Sequence, residues 1–125
     1  MYTVSVKRNF FAEHFLIGGD WGPENQPHSH NYQVEILVEG ATLDRHGYLV
    51  DIVEIKAHLE ALLNYFGKRL LNDLPEFKGL NPSIEQFARI FCHRLSEQIE
   101  SSNLSAITIK IWEDENAWAA YRQER

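Results

Sequence analysis

The chain is 125 residues long, 44% hydrophobic and formally charged −6, which suits one domain with its own core over residues 1–125 and excludes a division into two. That acidic balance, with no Lys/Arg run longer than two residues, argues against nucleic-acid binding by phosphate neutralisation. A lone cysteine, Cys92, excludes an intrachain disulfide; with no apolar leader and no membrane-length segment, a soluble protein of the reducing cytoplasm is expected.

Tyr2, Val4 and Val6 alternate with polar residues and lead to Phe10 and Phe11, the period of a half-buried first strand. His14 follows at its end. The connection over 18–27 carries Gly18, Gly19, Gly22, Pro23 and Pro27, residues that punctuate regular structure, and is too long for a tight hairpin. A second strand begins around His28: Tyr32, Val34, Ile36 and Val38 alternate with polar partners up to Gly40, and His28 and His30 share the parity of that apolar face. If the two strands are antiparallel neighbours, His14 meets the H-x-H pair. Three neutral imidazoles suit a zinc-like ion and leave a fourth tetrahedral position for water or substrate, as in catalytic sites. The alternative is three unrelated loop and surface histidines.

Asp51 begins the next element as an N-cap, with Glu54 three residues on. Ile52, Ile55, Leu59, Leu62, Leu63, Phe66 and Leu70 recur at helical spacing, predicting an amphipathic helix over 52–70 that weakens near Gly67. Ser83 and Gln86 form a capping box before Phe87, Ile90, Phe91, Leu95 and Ile99, a second helix. Cys92 adjoins its apolar face as a small core residue. Ile107, Ile109 and Ile111 alternate into a third strand, and 117–121 returns as a fourth. Glu113 keeps the parity of the isoleucines. Either the strand ends at Trp112 and Glu113 belongs to the acidic turn 113–116, or a core-facing carboxylate serves a site. Strands grouped around a helical block predict an α+β domain: an antiparallel four-stranded sheet, two helices on one face, and two open edges that favour a homo-oligomer.

These pieces together resemble the family of 6-pyruvoyl-tetrahydropterin and 6-carboxytetrahydropterin synthases. The likeness runs through F-x-A-x-H ending at His14, H-x-H-N-Y from His28 to Tyr32, Gly47-Tyr48-Leu49-Val50-Asp51, Leu71-Asn72-Asp73, Asn81-Pro82-Ser83-Ile84-Glu85, and a glutamate eight residues before Tyr121. The resemblance implies a tunnelling fold, ββααββ, whose subunits assemble as a hexamer, a dimer of trimers, with sites at subunit interfaces. It implies Zn2+ held by His14, His28 and His30, and a pterin held at its amino and ring N–H edge by Glu113. The implied chemistry acts on 7,8-dihydroneopterin triphosphate, in pathways to 7-deazaguanines (queuosine), folate or biopterin.

Two departures from the family stand out. Glu24 takes the place of the usual cysteine four residues before the H-x-H pair; a subgroup with glutamate there releases 6-hydroxymethyl-7,8-dihydropterin, which makes Glu24 the candidate base. The family's Asp-His pair falls on Gly67 and Lys68, neither of which does the same job unaided. His46, His58 and His93 read as turn or helix-face residues. Two functions follow: a zinc-dependent pterin lyase, or a catalytically silent paralogue that binds a pterin or purine-like ring.

Overall fold

A computed structural model describes residues Met1–Arg125. Four strands, β1 (Tyr2–His14), β2 (His28–Gly40), β3 (Ala106–Trp112) and β4 (Trp118–Glu124), form one antiparallel sheet in the order β1-β2-β3-β4. Between β2 and β3 the chain makes α1 (Ile52–Phe66) and α2 (Ile84–Gln98). The ββααββ order expected from periodicity is the one observed.

Alternation decides which face the helices cover. Val6, Phe10 and Ala12 of β1, Tyr32, Val34, Ile36 and Val38 of β2, and Ile107, Ile109 and Ile111 of β3 are all buried on one side. Against them pack Ile55, Leu59, Leu62 and Phe66 of α1 and Phe87, Ile90, Phe91 and Leu95 of α2. Phe87 touches Phe10, Tyr32, Phe66 and Phe77 at centroid distances of 5.2–5.8 Å, so its truncation to alanine would cost about 3–5 kcal/mol. This aromatic cluster underlies the end of the sheet that carries the histidines.

Both predicted caps form. The Asp51 carboxylate accepts from the Val53 amide at 2.9 Å, and the Ser83 hydroxyl accepts from the Gln86 amide at 3.2 Å; each satisfies a donor the first helical turn leaves free. The helix predicted over 52–70, with a weakening near Gly67, stops at Phe66. Gly67 donates to the Leu63 carbonyl at 2.8 Å and then turns extended. From there the chain runs along the outer edge of β1: the Lys68 amide donates to the Phe11 carbonyl at 2.6 Å, and the Glu13 amide to the Arg69 carbonyl at 2.8 Å. Leu70 is half-buried beside Glu13, which explains its apolar character without helical periodicity. This part of the β1 edge is therefore covered, contrary to the expectation of two open edges. The fourth strand also runs further than the expected 117–121, because Tyr121 and Gln123 pair with Ile109 and Ile107.

Candidate metal and ligand site

The antiparallel register sets His14 opposite His28 and Ala12 opposite His30, so all three imidazoles leave the helix-covered face at one end of the sheet. Their ring centroids are 4.6–4.9 Å apart, and one ring nitrogen from each lies within 4.8 Å of the others. His14 is buried to 1% exposure; His28 and His30 are half-buried.

The ring nitrogens are already divided between two tasks. His14 Nδ1 lies 2.8 Å from the Pro82 carbonyl oxygen and His28 Nδ1 lies 2.8 Å from that of Gln26. A carbonyl only accepts, so each Nδ1 carries the proton and each Nε2 keeps its lone pair. Nε2 of His28 and of His30 are buried without a hydrogen-bond partner. Buried polar atoms left in that state are costly, and a divalent cation among the three would satisfy them. The residues fit a metal ion. Burial lowers the His14 pKa, and the positive fields of His30 and His28 add to this, while the Pro82 carbonyl and Glu24 oppose it; the neutral form is the one that ligates.

Glu113 completes one side of this cluster. Its Oε1 is 3.2 Å from His30 Nε2 and 3.7 Å from His14 Nε2, close contacts without hydrogen-bond geometry to His30. Glu113 lies both in the turn after β3 and beside the histidines. β3 does end at Trp112 and a turn follows, with the Glu113 amide donating to the Ala117 carbonyl at 3.1 Å, yet the carboxylate keeps the inward parity and reaches the histidines. Tyr32 lies beneath, its hydroxyl 3.3 Å from His14 Nδ1, and burial together with the Glu113 charge raises its pKa.

Glu24 sits in a short 3-10 turn, Gly22–Asn25, on the connection between β1 and β2. Its side chain is exposed, and its backbone is held where β1 ends: the Leu16 amide donates to the Glu24 carbonyl at 2.9 Å. Asn25 ties the same loop, donating to the carbonyls of Leu16 and Gly19 at 3.0 Å each and accepting from the Trp21 amide at 2.8 Å. Gly67 and Lys68 lie on the β1 edge, so this chain has no Asp-His pair beside that strand. His46 occupies a turn, and His58 and His93 lie on helix faces, His58 beside Glu54 and His93 against Tyr121. Cys92 is fully buried, and burial pushes its thiol up to about 11; it is core. What sequence reasoning did not assign were the groups behind the ligands, namely Asn25, Asn72, Asn81 and the Pro82 carbonyl. In the sequence Asn72 and Asn81 stand out only as parts of short motifs.

The antiparallel sheet backed by two helices, with three imidazoles and a carboxylate at one end, has the tunnelling fold of solved 6-pyruvoyl tetrahydropterin synthases. A Caenorhabditis elegans 6-pyruvoyl tetrahydropterin synthase superposes with a TM-score of 0.82 at 24% identity, covering 99% of this chain and 98% of that one. A Plasmodium vivax 6-pyruvoyltetrahydropterin synthase in which a catalytic glutamate is replaced by alanine gives 0.82 at 15% identity, with the same coverage. By sequence, a 6-pyruvoyl tetrahydrobiopterin synthase of Dictyostelium discoideum is 31% identical over 99 residues, 78% of this chain and 71% of that protein. The profile of the 6-pyruvoyl tetrahydropterin synthase family matches residues 3–124, and the chain belongs to that family of pterin synthase lyases.

Proposed function

We propose that this protein is a zinc-dependent lyase acting on 7,8-dihydroneopterin triphosphate or a close relative. The observation that carries the proposal is the convergence of three histidines, two with Nδ1 bound to backbone carbonyls, beside the inward-facing Glu113 carboxylate. A zinc ion held by His14, His28 and His30 would supply Lewis-acid polarisation of the substrate's side-chain oxygens. Glu113 would bind the pterin, since its two oxygens match the parallel amino and ring N–H donors of that edge. The buried wall around Tyr32 would keep water from the ring side.

Glu24 would be the base. It would take the proton of the C2′ hydroxyl as the C1′–C2′ bond breaks, the bonding electrons passing into the dihydropterin ring and C1′ then gaining a proton. The products are 6-hydroxymethyl-7,8-dihydropterin and the two-carbon aldehyde that carries the triphosphate. Its backbone tie to Leu16, two residues from His14, supports this role, as does the glutamate described as catalytic in the Plasmodium vivax relative. A homo-oligomer, expected as a hexamer, would place sites at subunit boundaries and cover the remaining sheet edges.

The family resemblance favours a second reading, a silent paralogue that binds a pterin or purine-like ring: Gly67 and Lys68 stand where it would put an Asp-His pair. Product analysis separates the two. Metal-loaded protein incubated with 7,8-dihydroneopterin triphosphate and an aldehyde trap should give 6-hydroxymethyl-7,8-dihydropterin, and Glu24→Ala should abolish it while zinc and pterin still bind. Pterin binding with no turnover above the metal-free protein would establish the silent reading instead.

A further inference from the structure

Beyond His14 the ladder between β1 and β2 ends, and side chains distant in sequence take over the backbone of Phe15 and Ile17. The Asn72 amide clasps Phe15 on both sides: Oδ1 accepts from the Phe15 amide at 2.9 Å and Nδ2 donates to the Phe15 carbonyl at 2.9 Å. Asn81 Oδ1 accepts from the Ile17 amide at 2.9 Å. The residue after it, Pro82, gives its carbonyl to His14 Nδ1 at 2.8 Å. The Asn81 carbonyl in turn accepts from the amide of Ser83, the cap of α2, so the carbonyl that orients His14 is anchored to the start of a helix.

We propose that Asn72 and Asn81 are positioning residues for the metal: an amide clamp that fixes the exit of β1 and thereby the direction of the His14 imidazole. This deepens the three-histidine reading and rests on it. The residue type follows from the task at each position. A side-chain amide presents a donor and an acceptor in one plane, as a neighbouring strand would, which is what Phe15 requires of Asn72. Asn81 is used only as an acceptor. The precision follows from leverage. Nε2 lies about 4.5 Å from its own Cα, so a 10° swing of the residue moves it by about 0.8 Å, against a tolerance of roughly 0.2 Å in a metal–nitrogen bond. The groups that orient a ligating histidine commonly account for 10–100-fold in metal affinity.

The test measures zinc affinity by chelator competition, with thermal melting of the metal-free forms, for the parent, Asn72→Ala, Asn81→Ala, Asn72→Asp, Asn81→Asp and Asn103→Ala. Asn103 is the structural control: its amide donates to the carbonyls of Thr42 and Leu49 at 3.1 and 2.8 Å, away from the histidines, so its loss should lower the melting temperature and leave zinc affinity unchanged. Both clamp alanine variants should bind zinc about 10- to 100-fold more weakly. Asp at 81 keeps the acceptor and should restore affinity to the parent's or better. Asp at 72 cannot donate to the Phe15 carbonyl and should stay weak. A parent that binds no zinc refutes the metal reading and the clamp with it. A zinc-binding parent whose alanine variants match it refutes the clamp alone, as does an Asn103→Ala that weakens zinc as much as they do.

Discussion

Gly67→Ala tests how the end of α1 docks on the edge of β1, and it does so by the sign of the effect. Gly67 has φ −65° and ψ 143°, which any residue adopts, and replacing glycine by alanine under those conditions ordinarily stabilises by about 0.4–1 kcal/mol through the unfolded chain. Here the added Cβ would stand 2.5 Å from the Leu63 carbonyl oxygen. That oxygen is backbone in the last turn of α1, and it accepts the amide of Gly67 itself at 2.8 Å. Relief therefore requires a shift of close to 1 Å that stretches this hydrogen bond and disturbs the adjoining tie from Lys68 to Phe11. Overpacking of this kind costs about 1–3 kcal/mol, and the lost bond about 1 kcal/mol. The expected net is a destabilisation of about 2 kcal/mol, read as a lower urea midpoint at unchanged m-value. The same Cβ belongs to aspartate, so Gly67→Asp meets the same obstacle. A stabilised Gly67→Ala would refute this account of the α1 terminus and of its docking on β1.

Glu113→Gln should weaken binding of a dihydropterin at least tenfold in calorimetry and leave zinc content at the parent level, because the amide loses one of two acceptors while the imidazoles stay; unchanged pterin affinity would return Glu113 to the turn alone. Light scattering should find an oligomer at working concentrations, and a monomer throughout would remove the interfacial site. Cys92 should resist thiol reagents at pH 8 in the native protein and react once per chain on unfolding. Its folded pKa of about 11 is raised above the ordinary value of 9.0, so the stability from keeping the thiol neutral is fully present below pH 9 and is lost as pH rises towards 11; fast native labelling at pH 8 would contradict that burial.

The strands and helices were legible because their apolar residues obey clean periods, and the histidine cluster was legible for the same reason: His28 and His30 carry the parity of Tyr32 and Val34, and an antiparallel neighbour brings His14 opposite. Glu113 was legible as an anomaly of parity before its partner was known. The end of α1 was legible only in part: Gly67 marks the weakening, but Leu70 continues the helical spacing by coincidence while being half-buried against the edge of β1. The groups that hold the site were not. Asn72, Asn81 and Pro82 act on residues 57–68 positions earlier through isolated contacts between a side chain and a backbone group, which leave no periodic trace. Glu24 lay in a stretch rich in glycine and proline, where no pattern foretells a 3-10 turn or its anchorage by Asn25.

The claim on which the rest depends is that His14, His28 and His30 form one metal site. The direct measurement is zinc per chain after equilibrium challenge with a chelator, for the parent and for His28→Ala. The parent should hold about one zinc per chain, with zinc–nitrogen distances near 2.0–2.1 Å by X-ray absorption, and the variant should lose it. Equal zinc retention by His28→Ala and the parent would contradict that claim.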